Sequence, residues 1–585
     1  MTEASAIPER IEAIDRGRSV AGERIRAAVT WLFLAVVTVL VVTPMAAIVF
    51  GAFRTRSPGD PRATFSLQSI EAVYLGLFNG GWTQSATLHT VLLAIPVTIS
   101  ATALGLFLAW AVTRTNMPGK RWFEFGFLLS LLYSPLVGVI GWTVLADPAA
   151  GLLNGLWSAL TGASDPLFNI YSYGGIAWVM IFFFAPYAFL LNVGGFRSLD
   201  VTLEEVAAVS GANLFKRMML ITLPVMMAGI AAAALFIFTL ALEQFAIPGF
   251  LGTHVQFDTL AYAIFLRTNA YPSDLPGAAA AGTLLLILSS IGLFAYRRLT
   301  RHSERFVAVT ARGYKPGVTE LGAGRYVLFG VCLLIFIVGI AAPLIAVALR
   351  ALLPVRTMTF DPGSLTLDNF RVLFSAADML LGLRNTFYLA FGAATACSVI
   401  GLVVAFQITR RKSLAKSILD YMIALPIGVP GTVFGVGMLW AYVRTPLYLT
   451  LGILLLAFVI RYLVYSVRSI GGALMQIDKA LEESAAVAGA TPFKSFMFVN
   501  LPLLRPVLAS AWLLVFLIVM REISSSIILY GAHTVTLPIL TWNYLNDGSY
   551  GVASALAITQ IGIVGVVFIV LTRFFGADLR ARAAE

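Results

Sequence analysis

The sequence has few charged residues, and this scarcity excludes a water-soluble protein. Asp, Glu, Lys and Arg make up 12% of its 585 residues, about half of the usual quarter in soluble domains. Hydrophobic residues make up 59% and the mean hydropathy is +0.88, which also excludes an intrinsically disordered chain. Most of the chain must therefore lie in a lipid bilayer, where only helices and closed barrels satisfy the backbone. Long unbroken apolar runs, such as 31–50, indicate helices.

The residues that build disulfide frameworks and enzyme sites are also rare. The two cysteines, Cys332 and Cys397, both fall inside apolar runs, so we predict neither a disulfide nor a cysteine-based metal site. The four histidines are scattered, and the sequence contains no GxxxxGK[ST], HExxH or GxSxG motif and no CxxC pair. The sequence therefore predicts no enzyme activity, no cofactor and no metal site.

The apolar runs predict an all-α membrane protein with about a dozen transmembrane helices. We place these spans near residues 27–53, 86–113, 123–146, 174–195, 225–247, 277–297, 326–350, 384–409, 418–443, 446–467, 503–525 and 551–573. The first run is too long for a signal peptide, so we predict that it is retained as a span. A chain of this size and class is typical of a transporter.

The net charge of +11 is explained by membrane orientation. If the N-terminus is cytoplasmic, most Lys and Arg residues fall in cytoplasmic segments, as the positive-inside rule requires. Both termini are then predicted to be cytoplasmic. The positive charge also attracts anionic lipid headgroups, and it does not indicate a nucleic-acid partner.

A duplicated segment organises the chain. LEEVAAVSGA at 203–212 is followed by ITLP at 221–224, and LEESAAVAGA at 481–490 is followed by VNLP at 499–502. Equivalent positions differ by 278, as 483 − 205 and 502 − 224 both show. We predict a tandem duplication of one six-helix unit, with the two units in the same membrane orientation.

The duplication predicts five consecutive parts. They are a cytoplasmic tail at 1–26, a first unit at 27–297 with its core at 86–297, a cytoplasmic linker at 298–325, a second unit at 326–573 with its core at 384–573, and a cytoplasmic tail at 574–585.

Each duplicated loop is predicted to be a cytoplasmic helix-turn-helix that docks another protein. Acidic residues suit the start of a helix, and the Leu-Pro pair suits the first turn of the next span. Small residues offer a low surface that a partner could approach closely, and the acids could pair with basic groups of that partner. The residues singled out are Glu204, Glu205, Ala207, Gly211, Leu223 and Pro224 in the first loop and Glu482, Glu483, Ala485, Gly489, Leu501 and Pro502 in the second.

The pattern Glu-x-Ala-x3-Gly-x9-Ile/Val-x-Leu-Pro, at 205–224 and 483–502, resembles the signature of the binding-protein-dependent ABC import permeases. Val206 and Ser484 stand where that family usually has Ala. The resemblance covers about 27–573. It implies that both loops are coupling helices on two cytoplasmic ATP-binding subunits, which carry the ATPase activity on separate chains. It also implies an external solute-binding protein, a bacterial inner (plasma) membrane location and transport by alternating access.

Fused twin permeases of this kind look most like the ferric-iron importers. The local resemblance lies in 240–245 and 519–524 and in the Gly-x-His turns that follow them. Related permeases carry thiamine, polyamines or phosphonates, and these substrates remain alternatives. A transporter of a different class, a 12-span carrier driven by an ion gradient, is the other alternative, and it would leave the duplicated acidic loops unexplained.

Three of the charged residues within or beside apolar spans are candidates for a functional role. We place Glu243 and Glu522 at matching outer ends of the fifth and eleventh spans, where they are predicted to line the external mouth of a path for a cationic solute. The alternative is a structural role near a membrane boundary, where the cost of a charge is small. Arg461 is predicted either to extend towards the cytoplasmic face or to pair with an acid inside the bundle.

Overall fold

The computed structural model describes residues 31–199, 202–300, 317–354, 362–410 and 414–575, and these segments are predominantly helical. The helices of the first half are α1 (Trp31–Ala52), α2 (Gln68–Leu75), α3 (Trp82–Arg114), α4 (Lys120–Leu129), α5 (Pro135–Ala146), α6 (Leu152–Thr161), α7 (Tyr173–Ser198), α8 (Thr202–Val209), α9 (Leu214–Arg217), α10 (Leu223–Glu243), α11 (Ala246–Leu251), α12 (Leu260–Asn269) and α13 (Leu275–Thr300). Those of the second half are α14 (Gly324–Phe336), α15 (Ala342–Leu352), α16 (Asp368–Ser375), α17 (Ala377–Arg410), α18 (Leu414–Ala424), α19 (Gly431–Tyr442), α20 (Leu451–Gln476), α21 (Lys479–Val487), α22 (Pro492–Ser495), α23 (Leu501–Met520), α24 (Ser526–Leu529), α25 (Leu537–Asn546) and α26 (Tyr550–Phe575).

Ten helices in the described segments are long and apolar enough to cross a membrane. The all-α membrane fold is therefore confirmed, whereas the predicted count of twelve spans is not. The predicted spans 123–146 and 418–443 are each interrupted, by the breaks between α4 and α5 and between α18 and α19, and the second break bends the chain by 111°. Pro135 opens α5 and Pro430 precedes α19, and proline has no N–H with which to continue the preceding helix.

The helices around the duplicated loops repeat with the offset of 278. Helices α7 and α20 begin and end 278 residues apart, and so do the short helices α9 and α22. The boundaries of the two units stay predictions. The tail at 1–26 and the greater part of the linker and of the last tail lie outside the described residues.

The first span of each half packs against the broken helix of the other half. A Cβ atom on Gly437 of α19 would lie 2.4 Å from the carbonyl oxygen of Pro44 in α1. A Cβ atom on Gly141 of α5 would lie 2.6 Å from the carbonyl oxygen of Pro343 in α15. Both distances are shorter than a van der Waals contact, so each glycine allows two helix backbones to meet. This exchange of first spans ties the halves together.

We predict that Gly437→Ala destabilises the protein, because the added methyl group would strike the α1 backbone, which cannot move aside as a side chain can. Overpacking of this kind costs about 1–3 kcal/mol. Thermal unfolding of the purified chain in detergent should show a lower midpoint. Gly562→Ala in α26 is the matched control, since nothing lies within 4 Å of its Cβ position. Equal midpoints for the two variants would contradict the close α1–α19 contact.

Candidate functional site

The two duplicated loops have the same backbone design. Helices α8 and α21 each end at a glycine with a positive φ angle, +83° at Gly211 and +85° at Gly489. The next residue in each loop, Ala212 or Ala490, donates its N–H back to the carbonyl five residues earlier, at 2.9 Å in both. This is the hydrogen bond of a helix C-cap that glycine favours. A Cβ atom on either glycine would meet nothing within 4 Å. The positive φ angle of the turn, and not close packing, therefore accounts for glycine at both positions.

Glu204 is buried in this structure and contacts its own chain. Its Oε2 lies 3.0 Å from Nη2 of Arg114, at the end of α3, and its Oε1 accepts a 2.7 Å hydrogen bond from the hydroxyl of Thr222. Arg114 also donates to the Leu199 carbonyl at 3.2 Å. The prediction that Glu204 pairs with a partner's basic groups is therefore wrong for this conformation. Glu204 instead fixes the first loop to the membrane helices.

The second loop has a related anchor. Asn500, which stands 278 residues after Thr222, donates a hydrogen bond of 3.3 Å to Oε1 of Glu482. Glu482 is half-buried, whereas Thr222 and Asn500 are both buried. Neither Thr222 nor Asn500 was among the residues predicted to be functional. Both are polar, and both stand directly before the duplicated Leu-Pro, which is the signal that could have identified them.

The Leu-Pro pairs stand in the first turn of α10 and α23, as predicted, and both helices are continuous with their loops. In each loop a π-helical turn, at Met218–Thr222 or Phe496–Asn500, runs directly into α10 or α23. Leu223 donates its N–H to the carbonyl of Met218, and Leu501 donates to Phe496 in the same way. The wider i→i−5 turn leaves room for the ring and the missing N–H of the proline that follows. The helix therefore continues from the loop into the span without a break.

Both loops expose the same set of side chains. Glu205 and Glu483 are exposed, and they lie beside two valines that are almost fully accessible, Val209 at 92% and Val487 at 91%. Phe215 and Phe493, also 278 residues apart, are each 68% exposed. Ala207 and Ala485 are half-buried. Each loop thus presents one acid and two apolar side chains, which we call the loop surface. Of these exposed side chains, only the acids were predicted from the sequence to contact a partner.

Glu243 contacts the second half of the chain, and its side chain is 19% exposed. It is the last residue of α10, and its Oε2 accepts a 2.9 Å hydrogen bond from Nη2 of Arg461 in α20. A Cβ atom on Gly431, at the start of α19, would clash with Nη1 of Arg461. Arg461 stands ten residues into α20, about 15 Å along the helix from its first residue. The second interpretation of Arg461, a pair with an acid, is therefore confirmed.

Glu522 does not match Glu243 in position. The offset of 278 pairs Glu243 with Arg521, since 521 − 243 = 278. Glu522 is buried and accepts hydrogen bonds from the Ser525 N–H at 2.7 Å, the Ser525 hydroxyl at 2.9 Å and the Ser526 N–H at 3.2 Å. Its contacts are therefore those of a group that shapes the turn before α24.

Arg521 crosses to the first half, as Glu243 crosses to the second. Its guanidinium donates to the hydroxyl of Tyr187 in α7 and to the carbonyls of Leu131 and Tyr133 at the α4–α5 break. At equivalent positions, an acid and a base thus each contact the opposite half. We call Glu243, Arg461, Gly431, Arg521 and Tyr187 the central cluster.

The histidines His254 and His533 and the two cysteines do not come together in a site among the described residues. His254 stacks on Tyr171 with ring centroids 4.1 Å apart, and the carbonyl of His533 accepts from Asn385. Cys332 and Cys397 are both buried free cysteines. Within the described residues, no group of three or more His, Cys, Asp or Glu side chains is placed to hold a metal ion.

Comparisons with known proteins agree with the duplicated loops. No protein-family model matches the chain. It is 28% identical over 486 residues to the ferric transport system permease protein FbpB of Actinobacillus pleuropneumoniae, covering 82% of this chain and 68% of the relative. It is 29% identical over 446 residues to a putative ferric transport system permease protein of Haemophilus influenzae, covering 75% and 68%.

A solved bacterial ABC transporter that imports alginate matches 43% of this chain and 94% of its own, at 18% identity and a TM-score of 0.37, too low to carry an argument. The two relatives, by contrast, align along both halves. The chain is accordingly a multi-pass membrane protein that is similar, along most of its length, to ferric transport system permeases.

Proposed function

We propose that this chain forms the whole transmembrane path of an ATP-driven importer and moves its solute by alternating access. Two cytoplasmic ATP-binding subunits dock on the two loop surfaces, and an external solute-binding protein delivers the substrate. The chain lies in the bacterial inner membrane with both termini cytoplasmic. The observation that carries this proposal is the pair of loop surfaces, which are alike in backbone and in exposed side chains and lie 278 residues apart.

The chemistry of the loop surface suits a protein partner. Val209 and Phe215, with their counterparts Val487 and Phe493, expose apolar area that a docked protein would bury. Glu205 and Glu483 add a negative charge beside each apolar pair, and such a charge steers a basic cleft into register. Because Glu204 and Thr222 hold the first loop on the membrane helices, a force on its surface reaches those helices.

The substrate proposed is ferric iron, because the relatives that align along most of this chain are named for ferric transport. Similarity to a putrescine permease of Escherichia coli covers only 30% of this chain, and similarity to a 2-aminoethylphosphonate permease covers 43%. Putrescine, aminoethylphosphonate and thiamine therefore serve as comparison solutes in the uptake experiment.

We predict that Glu205→Arg combined with Glu483→Arg releases the ATP-binding subunits. Reversing both charges places a base opposite a basic cleft, and like charges in a contact cost several kcal/mol. The measurement is co-purification of the ATP-binding subunit with the tagged chain from host membranes. Glu320→Arg is the control, because Glu320 is also exposed and lies near the α3 end that anchors the first loop. Equal recovery with the parent and the double variant would refute docking at these acids.

We predict that Glu243→Gln destabilises the chain and that a second change restores it. The single change leaves Arg461 buried without its carboxylate, and breaking a buried pair costs about 3–5 kcal/mol. Glu243→Leu with Arg461→Met removes both charges and should recover the thermal midpoint in detergent. If the single and the double variant unfold at the same temperature, the pair is not the stabilising contact. Unchanged uptake by the stable double variant would rule out a role of Glu243 in the path.

We predict that host cells lacking this chain take up less labelled ferric iron and that the parent chain restores uptake. The Glu205→Arg, Glu483→Arg variant at equal membrane abundance should not restore it. Uptake of putrescine, thiamine and aminoethylphosphonate is measured in the same strains. If the strain lacking this chain loses uptake of one of these solutes but not of iron, that solute replaces ferric iron as the proposed substrate. The proposal of an ATP-driven importer would still stand.

A further inference from the structure

The described residues contain a basic cavity beside the first loop. Its volume is about 490 Å³, and it lies between the ends of α3 and α7, the start of α4 and the chain at 317–318. The lining side chains that carry charge are Arg114, Lys120, Arg121, Glu124 and Arg197. Backbone hydrogen bonds between Thr319 and the α3 end hold one wall in place. The cavity is therefore part of the folded chain.

Two positive charges of the cavity are left unbalanced. Arg197 donates to Glu124 at 2.6 Å, and Arg114 is neutralised by Glu204 at 3.0 Å. No ion pair to Lys120 or Arg121 occurs among the described residues. Both stand in the first turn of α4, whose N-terminus has no side-chain cap. The partial positive charge of a helix N-terminus adds to theirs, so the cavity favours an anion with several acceptor oxygens.

The cavity lies at the level of the membrane boundary. The candidate spans Trp82–Arg114 and Tyr173–Arg197 both end at residues that line it. The neighbours on α4, Trp122 at 80% and Phe125 at 51% exposure, are open to the surroundings. Tryptophan at the end of a span is typical of the headgroup region of a bilayer. An anion in this place is within reach of a phospholipid whose acyl chains follow α4.

We propose that this cavity binds the phosphate of an anionic phospholipid headgroup. Basic pockets between transmembrane helices on the cytoplasmic side are suited to such headgroups. The lipid would sit beside Arg114, the residue that holds Glu204 of the first loop. The second half differs here. The offset between the α3 and α17 ends, 410 − 114 = 296, pairs Arg121 with Ser417 and Lys120 with Lys416. We assign the site to the first half, where the described residues form the cavity.

The test is native mass spectrometry of the full purified chain in non-ionic detergent, titrated with cardiolipin, phosphatidylglycerol or phosphatidylcholine. The parent should retain the two anionic lipids in preference to phosphatidylcholine. The double variant Lys120→Gln, Arg121→Gln should bind the anionic lipids about thirtyfold more weakly. This factor follows from a loss of roughly 1 kcal/mol of binding free energy for each basic residue removed. Lys416→Gln, at the corresponding position of the second half, should bind as the parent does.

A variant that is expected to bind lipid more tightly distinguishes loss of the lipid site from misfolding of the chain. Glu124→Gln releases Arg197 from its ion pair and adds a positive charge to the cavity, so anionic lipid should bind about fivefold more tightly. Equal lipid binding by the parent, the double variant and Glu124→Gln would overturn the site. Inorganic phosphate that displaces cardiolipin at equal concentration would show that a free anion, and not a lipid, is the ligand.

Discussion

A charge inside a bilayer must find a partner, and this constraint determines how the two halves fit together. An unpaired Arg, Lys or Asp at mid-span costs about 2.5–3.5 kcal/mol on insertion scales. Glu243 of the first half and Arg461 of the second satisfy each other, and Arg521 of the second half is satisfied by Tyr187 and two carbonyls of the first. Each half therefore contains a buried charge that only the other half can pair.

The same pairing makes the two halves non-interchangeable. The offset of 278 places Phe183 in the first half where the second half has Arg461. Two copies of the first half would therefore bury Glu243 opposite phenylalanine, without a counter-charge. A fused chain can evolve an acid at one position and a base at its equivalent, because both copies are always present in the same ratio. The opposite charges of Glu243 and Arg521 are explained by this constraint.

The sequence predicted the elements that depend on local pattern and missed those that depend on distant contacts. Length and hydropathy identified the helices, and the repeat identified both loops. Glu204 and Glu205 are adjacent and chemically alike, so their separate roles depend on Arg114, which is 90 residues away (204 − 114 = 90). The breaks at Pro135 and Pro430 were missed because hydropathy is averaged over a span, and an apolar run stays apolar across a bend.

The loops and the central cluster are opposite ends of the same helices. The helical run that begins at Leu214 in the first loop ends at Glu243, 30 residues and about 45 Å later. The equivalent run begins at Phe493 and ends at Met520, next to Arg521. An ATP-binding subunit that displaced a loop would therefore move a rigid rod whose far end carries a contact between the halves. The π-turn at the base of each rod has a wider hydrogen-bond spacing than an α-helix, so it is a place where the loop can tilt relative to the span.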